Sequence, residues 1–237
     1  AFVATAQEHN TLTKKERKAG WQLLWNGQDL TGWKSNSENG DMNKGWKAVD
    51  GQLVIMARSG AGDIITEKRY HDFELSIDFK ITEGANSGIK YFIGENGSVG
   101  CEFQILDDEN HPDAKMGFNG NRRLGSLYDL IPADGWAIAS KRDWNTARIV
   151  VRGNHVEHWL NGEKIVEFEA WTDDWFARKG SGKWENAPEY GLAHKGHLCL
   201  QDHGDPASFR NIKLKELPKK VRGEQQLFNG KDLTGWE

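Results

Sequence analysis

Asp72-Phe73-Glu74-Leu75-Ser76-Ile77-Asp78-Phe79-Lys80-Ile81 alternates without a slip: odd positions are apolar and even ones polar. Successive side chains of a β-strand point to opposite faces, so this run predicts a strand with one face in a core and one in solvent. The same reading extends outward. Asp50-Gly51 separates Trp46–Val49 from residues 52–56, and Asn161-Gly162 separates His155–Leu160 from residues 163–168. Both dipeptides suit the type I′ turn of a tight hairpin, whose central residues need positive φ. With Gly153-Asn154 as an earlier turn, residues 147–168 read as a meander. Residues 87–93, 101–106, 197–201 and 208–217 are further strand-like runs. The helix signal is confined to Thr13-Lys14-Lys15-Glu16, a capping box that predicts a short helix from Lys14 to about Ala19, stopped by Gly20. Many short strands with almost no helix predict an all-β antiparallel sandwich or jelly roll.

Composition agrees. The 237 residues include 27 Gly but only 5 Pro, as many tight turns would require, and they suffice for one substantial core. Eleven Trp against 4 Tyr supply core filler and, at an exposed position, a platform for a sugar ring. The net charge of −4, with signs interspersed along the chain, provides no basic field for nucleic acid. No apolar run approaches the roughly 20 residues of a membrane span. Segments 107–134 and 170–195 are too long for plain connections; loops of that length are usually functional or disordered, and their aromatic content predicts ordered, packed loops.

The two ends carry separate messages. Ala4-Thr5-Ala6 has the small-x-small form of a signal-peptidase site, so residues 1–12 read as a tail with a leader remnant, and the protein as exported to the periplasm or beyond. Leu24-Trp25-Asn26-Gly27-Gln28-Asp29-Leu30-Thr31-Gly32-Trp33 recurs as Leu227-Phe228-Asn229-Gly230-Lys231-Asp232-Leu233-Thr234-Gly235-Trp236. The expected organisation is therefore one domain over residues 13–217, then a linker and the start of a second homologous copy over 218–237.

A series of motifs runs across residues 13–217 in a specific order and spacing. It opens with Gly20-Trp21 and residues 24–33, Asp72-Phe73-Glu74-Leu75, and Asn86-Ser87-Gly88-Ile89. It continues through Gly100-Cys101-Glu102-Phe103-Gln104-Ile105-Leu106-Asp107, Gly125-Ser126-Leu127-Tyr128 and Trp144-Asn145. It ends with His158-Trp159-Leu160-Asn161-Gly162, residues 196–204 and Phe209-Arg210-Asn211-Ile212. In these motifs the chain resembles the 3-keto-disaccharide hydrolase domain family, and the resemblance implies a concanavalin-A-like (laminin-G-like) sandwich acting on glycosides whose 3-hydroxyl has been oxidised to a ketone. Many members of that family carry Arg where this chain has Lys90, which keeps the charge but loses the bidentate fork.

Alternation places the candidate chemistry on one face. Glu102 and Gln104 share a side of their strand, Lys90 lies opposite Ile89 and Tyr91, and Gln201 opposite Leu200. Lys90, Glu102, Gln104, His158 and Gln201 are the expected floor of a site, with His203, Tyr128 and Asp107 at its rim. His158 shares parity with Val156 and Leu160, which equally fits a core histidine. By the same alternation Cys101 and Cys199 point to different faces, so no disulfide is expected between them.

A C3 ketone acidifies the C2 proton, because the resulting carbanion is an enolate. The expected route is proton removal by Glu102 or His158, stabilisation of the enolate oxygen by Lys90 or His203, loss of the C1 leaving group and addition of water. Gln104, Tyr128, Gln201 and Asp107 would bind the sugar. A two-carboxylate glycosidase is the competing enzyme, weakened because the position two after Glu102 is Gln104 rather than a second acid. A non-catalytic sugar-binding module is the alternative from another class. Asp107-Asp108-Glu109-Asn110 with His111 is the one run from which a divalent metal site is conceivable; it lacks the spacing of a dedicated calcium loop and reads better as an acidic surface turn.

Overall fold

The structure is a computed structural model that describes residues 9–95, 97, 99–134, 139 and 143–218. Numbered along the chain, the first strands are β1 (Trp21–Leu23), β2 (Trp33–Ser35), β3 (Trp46–Val49), β4 (Gln52–Ile55), β5 (Ile64–Thr66) and β6 (Phe73–Ile81). They are followed by β7 (Asn86–Ile93), β8 (Cys101–Leu106), β9 (Asn145–Arg152), β10 (His155–Leu160), β11 (Glu163–Glu169), β12 (His197–Leu200) and β13 (Ala207–Glu216). All pairings are antiparallel, in an eight-stranded sheet ordered β11-β10-β9-β6-β13-β4-β3 with β1 on β13, and a five-stranded sheet ordered β2-β5-β12-β7-β8. This is the expected all-β sandwich.

β6 is the central strand of the larger sheet, and its odd residues Phe73, Leu75, Ile77 and Phe79 are each no more than 2% exposed. They meet Ile89, Tyr91, Phe103 and Ile105 of the smaller sheet in one core. Both hairpin turns have the expected backbone: Asp50 and Gly51 lie at φ +48° and +69°, Asn161 and Gly162 at +50° and +90°. Thr13 caps α1 (Lys14–Lys18) with the full reciprocal capping box.

Two features depart from expectation. Segment 170–195 contains a second helix, α2 (Asp173–Gly180), capped by Thr172 with acids in its first turn and bases in its last. The helix buries Trp175, so the described residues hold this short helix in addition to the expected N-terminal one. The second departure is a bulge in β7. Phe92 lies at φ +58°, and the β12–β7 register shifts between His197 and Cys199. Phe92 therefore joins the main core, whereas Ile93 joins Ile65 and Cys199 in a separate cluster.

Tryptophan serves mainly as filler. Trp25, Trp46 and Trp175 are at most 1% exposed. The first copy of the repeated motif is a self-bonded turn: Trp25 Nε1 donates to Asp29 O at 2.8 Å and Trp33 Nε1 to Leu24 O at 2.8 Å. Asn26 Oδ1 accepts from the backbone of Gln28 and Asp29. The second copy lies outside the described residues, as do residues 1–8. Cys101 and Cys199 are both free and buried, Cys101 in the main core and Cys199 outside it.

Candidate active site

The outward face of the smaller sheet carries the chemistry. In the β7–β8 register Lys90 stands opposite Glu102, Gly88 opposite Gln104 and Asn86 opposite Leu106. Segment 107–134 then continues the sheet past β8. Phe103 bridges Leu127, and Tyr128 N donates to Glu102 O at 3.0 Å, so Tyr128 stands opposite Glu102 on its other side. Glu102 thus has Lys90 on one flank and Tyr128 on the other, each one strand spacing away.

Glu102 is only 3% exposed. Its room comes from Gly88: a Cβ built there would lie 2.1 Å from Glu102 Oε1. Any side chain at position 88 would displace the carboxyl. With its amide oriented to satisfy both ends, Gln201 donates to Glu102 Oε1 at 3.3 Å and accepts from Lys90 Nζ at 3.2 Å. Lys90 Nζ also donates to Asp63 Oδ2 at 2.7 Å, and Asp63 Oδ1 is held by Asp202 N at 2.9 Å.

Burial raises the Glu102 pKa to about 7; the Lys90 charge pulls against it, Asp63 adds to it, Lys183 opposes it and Asp113 adds again. Burial alone would depress Lys90, but neighbouring Cys199, Glu102 and Asp63 reverse this and leave it above the ordinary lysine value. The pair therefore combines a carboxyl poised near neutrality with a fixed cation.

The two long segments build the wall on the Tyr128 side. Tyr128 Oη donates to Asp113 Oδ2 at 2.8 Å, and burial followed by that bond raises its pKa. Arg122 joins Asp113 at 3.0 Å to Asp129 at 2.5 Å. Asp129 Oδ2 also accepts from Lys183 N at 2.6 Å, which ties segment 170–195 to segment 107–134. The Lys183 side chain is exposed, its Nζ 3.3 Å from Tyr128 Oη and 4.8 Å from the centre of that ring.

Of the residues expected from sequence, Lys90, Glu102, Gln104, Tyr128 and Gln201 come together on this face. His203 is exposed beyond β12, its ring 6.3 Å from that of His111. Two expectations are corrected. His158 is fully buried between the sheets, against Phe103 and Phe168. Its Nδ1 lies 2.9 Å from Gly125 O, a pure acceptor, so Nδ1 carries the proton and Nε2 accepts from Tyr91 Oη at 2.8 Å. Burial lowers its pKa to about 4. It is a satisfied core histidine, not a base. His158→Ala should therefore cost about 3 kcal/mol of stability by leaving a cavity and two buried groups unpaired. Urea unfolding at pH 7 measures this, and an unchanged midpoint would refute the assignment.

Asp107 is the second correction. It accepts from the backbone of Gly84, Glu109 and Asn110 and from the Asn110 side chain, so it organises a turn rather than binding sugar. Asp108 likewise accepts from Leu124 N. The run considered for a divalent metal is thus an internally bonded acidic turn. Among the described residues, His155, Glu157 and Glu167 form another group able to hold a metal, on the outer side of β10 and β11. Lys164 already bridges its two carboxylates at 3.6 and 2.6 Å.

Asp63, Asp113, Arg122 and Lys183 were not anticipated. Asp63 precedes a three-residue strand too short to show a period, and the others lie in loops whose placement depends on tertiary contacts.

The sandwich thus carries, on one sheet face, a carboxyl that burial raises to about 7 and an ammonium paired with Asp63. The profile of the 3-keto-alpha-glucoside-1,2-lyase-like domain family matches residues 20–215. A 3-keto-disaccharide hydrolase of Bacteroides thetaiotaomicron is 32% identical over 243 aligned residues, covering 90% of this chain and 83% of that protein. A crystal structure of a candidate glycosyl hydrolase from Parabacteroides distasonis is 37% identical, with a TM-score of 0.79 over 89% of this chain and 100% of that one. A second from the same organism is 29% identical, with a TM-score of 0.65 over 83% and 99%. The chain belongs to the 3-keto-disaccharide hydrolase family and is a carbohydrate-active hydrolase.

Proposed function

We propose that this enzyme cleaves glycosides oxidised to a ketone at C3, by elimination across C1–C2 followed by hydration. The reading rests on one observation: Glu102, a buried carboxyl with a pKa near 7, stands opposite the Lys90 ammonium on a single sheet face. Glu102 takes the C2 proton, Lys90 with Gln201 receives the enolate oxygen, and the C1–O bond breaks as the C1–C2 double bond forms. Water then adds its hydroxyl to C1 and releases the proton that offsets the one taken up by the departing oxygen, while Glu102 returns a proton to C2.

A two-carboxylate glycosidase would need a second free acid beside Glu102. The carboxylates whose charges reach it, Asp63 and Asp113, are engaged by Lys90 and Asp202 N, and by Tyr128 and Arg122. Turnover in heavy water distinguishes the routes. Where Glu102 exchanges with solvent between the two steps, elimination and hydration place one deuterium on C2 of the released 3-keto sugar at early times, read by NMR. A glycoside deuterated at C2 should also react several-fold more slowly than the protonated one, and equal rates together with product free of solvent deuterium would rule out the enolate route.

Export, read from Ala4-Thr5-Ala6, belongs to the same proposal. N-terminal sequencing of protein recovered from the periplasm should begin at Gln7, and an intact leader would count against it.

A further inference from the structure

Elimination needs three groups in a row, because the acidic C2–H sits between the C3 ketone and the C1 leaving group. The sheet supplies an ordered row: Lys90 on β7, Glu102 on β8, then Tyr128 on the segment paired with β8. If Lys90 meets the ketone oxygen, the leaving group falls on the Tyr128 side. Among the described residues, Lys183 is an exposed cation beside Tyr128. We propose that Lys183 is the general acid that protonates the departing glycosidic oxygen, a role that rests on the elimination reading above.

The placement of Lys183 is built rather than incidental. Its own N–H is fixed by Asp129, and the neighbouring Trp184 is locked by donating from Nε1 to Tyr128 O at 3.2 Å and by stacking on Tyr190 at 4.6 Å. The ammonium lies 4.8 and 5.1 Å from the centres of the Tyr128 and Trp184 rings, within cation–π range of both. Tyr128 gives its own hydroxyl proton to Asp113, so its oxygen faces Lys183 as an acceptor and steers the ammonium. Exposure leaves the remaining Lys183 N–H groups available to a substrate.

The step balances. Glu102 accepts the C2 proton, the C2–H electrons become the C1–C2 double bond, and the C1–O electrons leave with oxygen, which takes a proton from Lys183. In hydration the incoming water gives its hydroxyl to C1 and a proton to Lys183, and Glu102 reprotonates C2. Both groups return to their starting states without an oxidant or reductant.

The test varies the leaving group, since an acid matters for a poor one and little for a good one. Lys183→Met is compared with wild type on a 3-keto-disaccharide, whose leaving alcohol is a weak acid, and on the 4-nitrophenyl 3-keto-glucoside. The variant should lose about 100-fold or more in kcat/KM on the disaccharide and less than about 5-fold on the nitrophenyl glycoside. Equal losses on both, or none on either, would overturn the assignment. Lys183 is exposed, so folding is not at stake, and a circular dichroism spectrum confirms it. Wild type cleaving neither substrate would instead overturn the elimination reading itself, and the acid with it.

Discussion

The glycoside bearing a ketone at C3 is expected to be cleaved at least about 10⁴ times faster than its unoxidised parent. Tenfold in rate corresponds to about 1.4 kcal/mol of barrier, and an enolate lowers the cost of losing the C2 proton by far more than four such steps. Without the ketone the C2–H is beyond the reach of a carboxylate, however well placed. Incubation of each glycoside with the enzyme, with products identified by NMR, measures the ratio. Equal cleavage of both would establish a glycosidase that protonates and displaces without an enolate. Tight binding of both with no turnover would make the domain a sugar-binding module.

Glu102→Gln should lower kcat/KM by about 100-fold or more, because it preserves shape and the bond to Gln201 while removing the base. The wild-type pH profile carries the same information. A base must be unprotonated to act, and burial holds the Glu102 pKa at about 7, above the ordinary carboxylate value of 4.5. The rate should therefore fall about tenfold per pH unit below neutrality, near 100-fold by pH 5. The linkage runs in the opposite sense for stability. A carboxyl whose pKa is raised by folding favours the native state below about 4.5 and loses that contribution as pH rises through about 7. The variant should accordingly gain stability relative to wild type across that window. An inflection near 4.5, or a variant retaining full activity, would remove Glu102 from the role of base.

Alternation made the sandwich legible because it follows from the pleat alone. The sheet faces of Lys90, Glu102 and Gln104 follow from the same rule, and the β7–β8 register then brings them together. The rule does not say which face is the core. His158 was ambiguous for that reason: its strand belongs to the larger sheet, where the face shared by Val156, His158 and Leu160 turns inward. The α2 helix had a sequence signal, Thr172 before Asp173 and Asp174 with Arg178 and Lys179 at its end, but eight residues rich in aromatics show no clear period. Lys183 has no local signature at all. Its position depends on Trp184 finding Tyr128 and Tyr190, contacts between segments more than fifty residues apart in one case.

The floor of the site is held by backbone ladders, whereas its far wall is held by side chains reaching between two loops through Asp129. Those two parts answer to different constraints as sequences diverge. Changing the length or composition of segments 107–134 and 170–195 alters what stands beyond Tyr128 without touching the register that sets Glu102 against Lys90. On the elimination reading, the placement of Glu102 against Lys90 can thus be inherited while leaving-group preference drifts. Variant libraries confined to these loops are the economical route to new linkages, with Asp129 kept fixed as the hinge pin that keeps both loops on the same substrate.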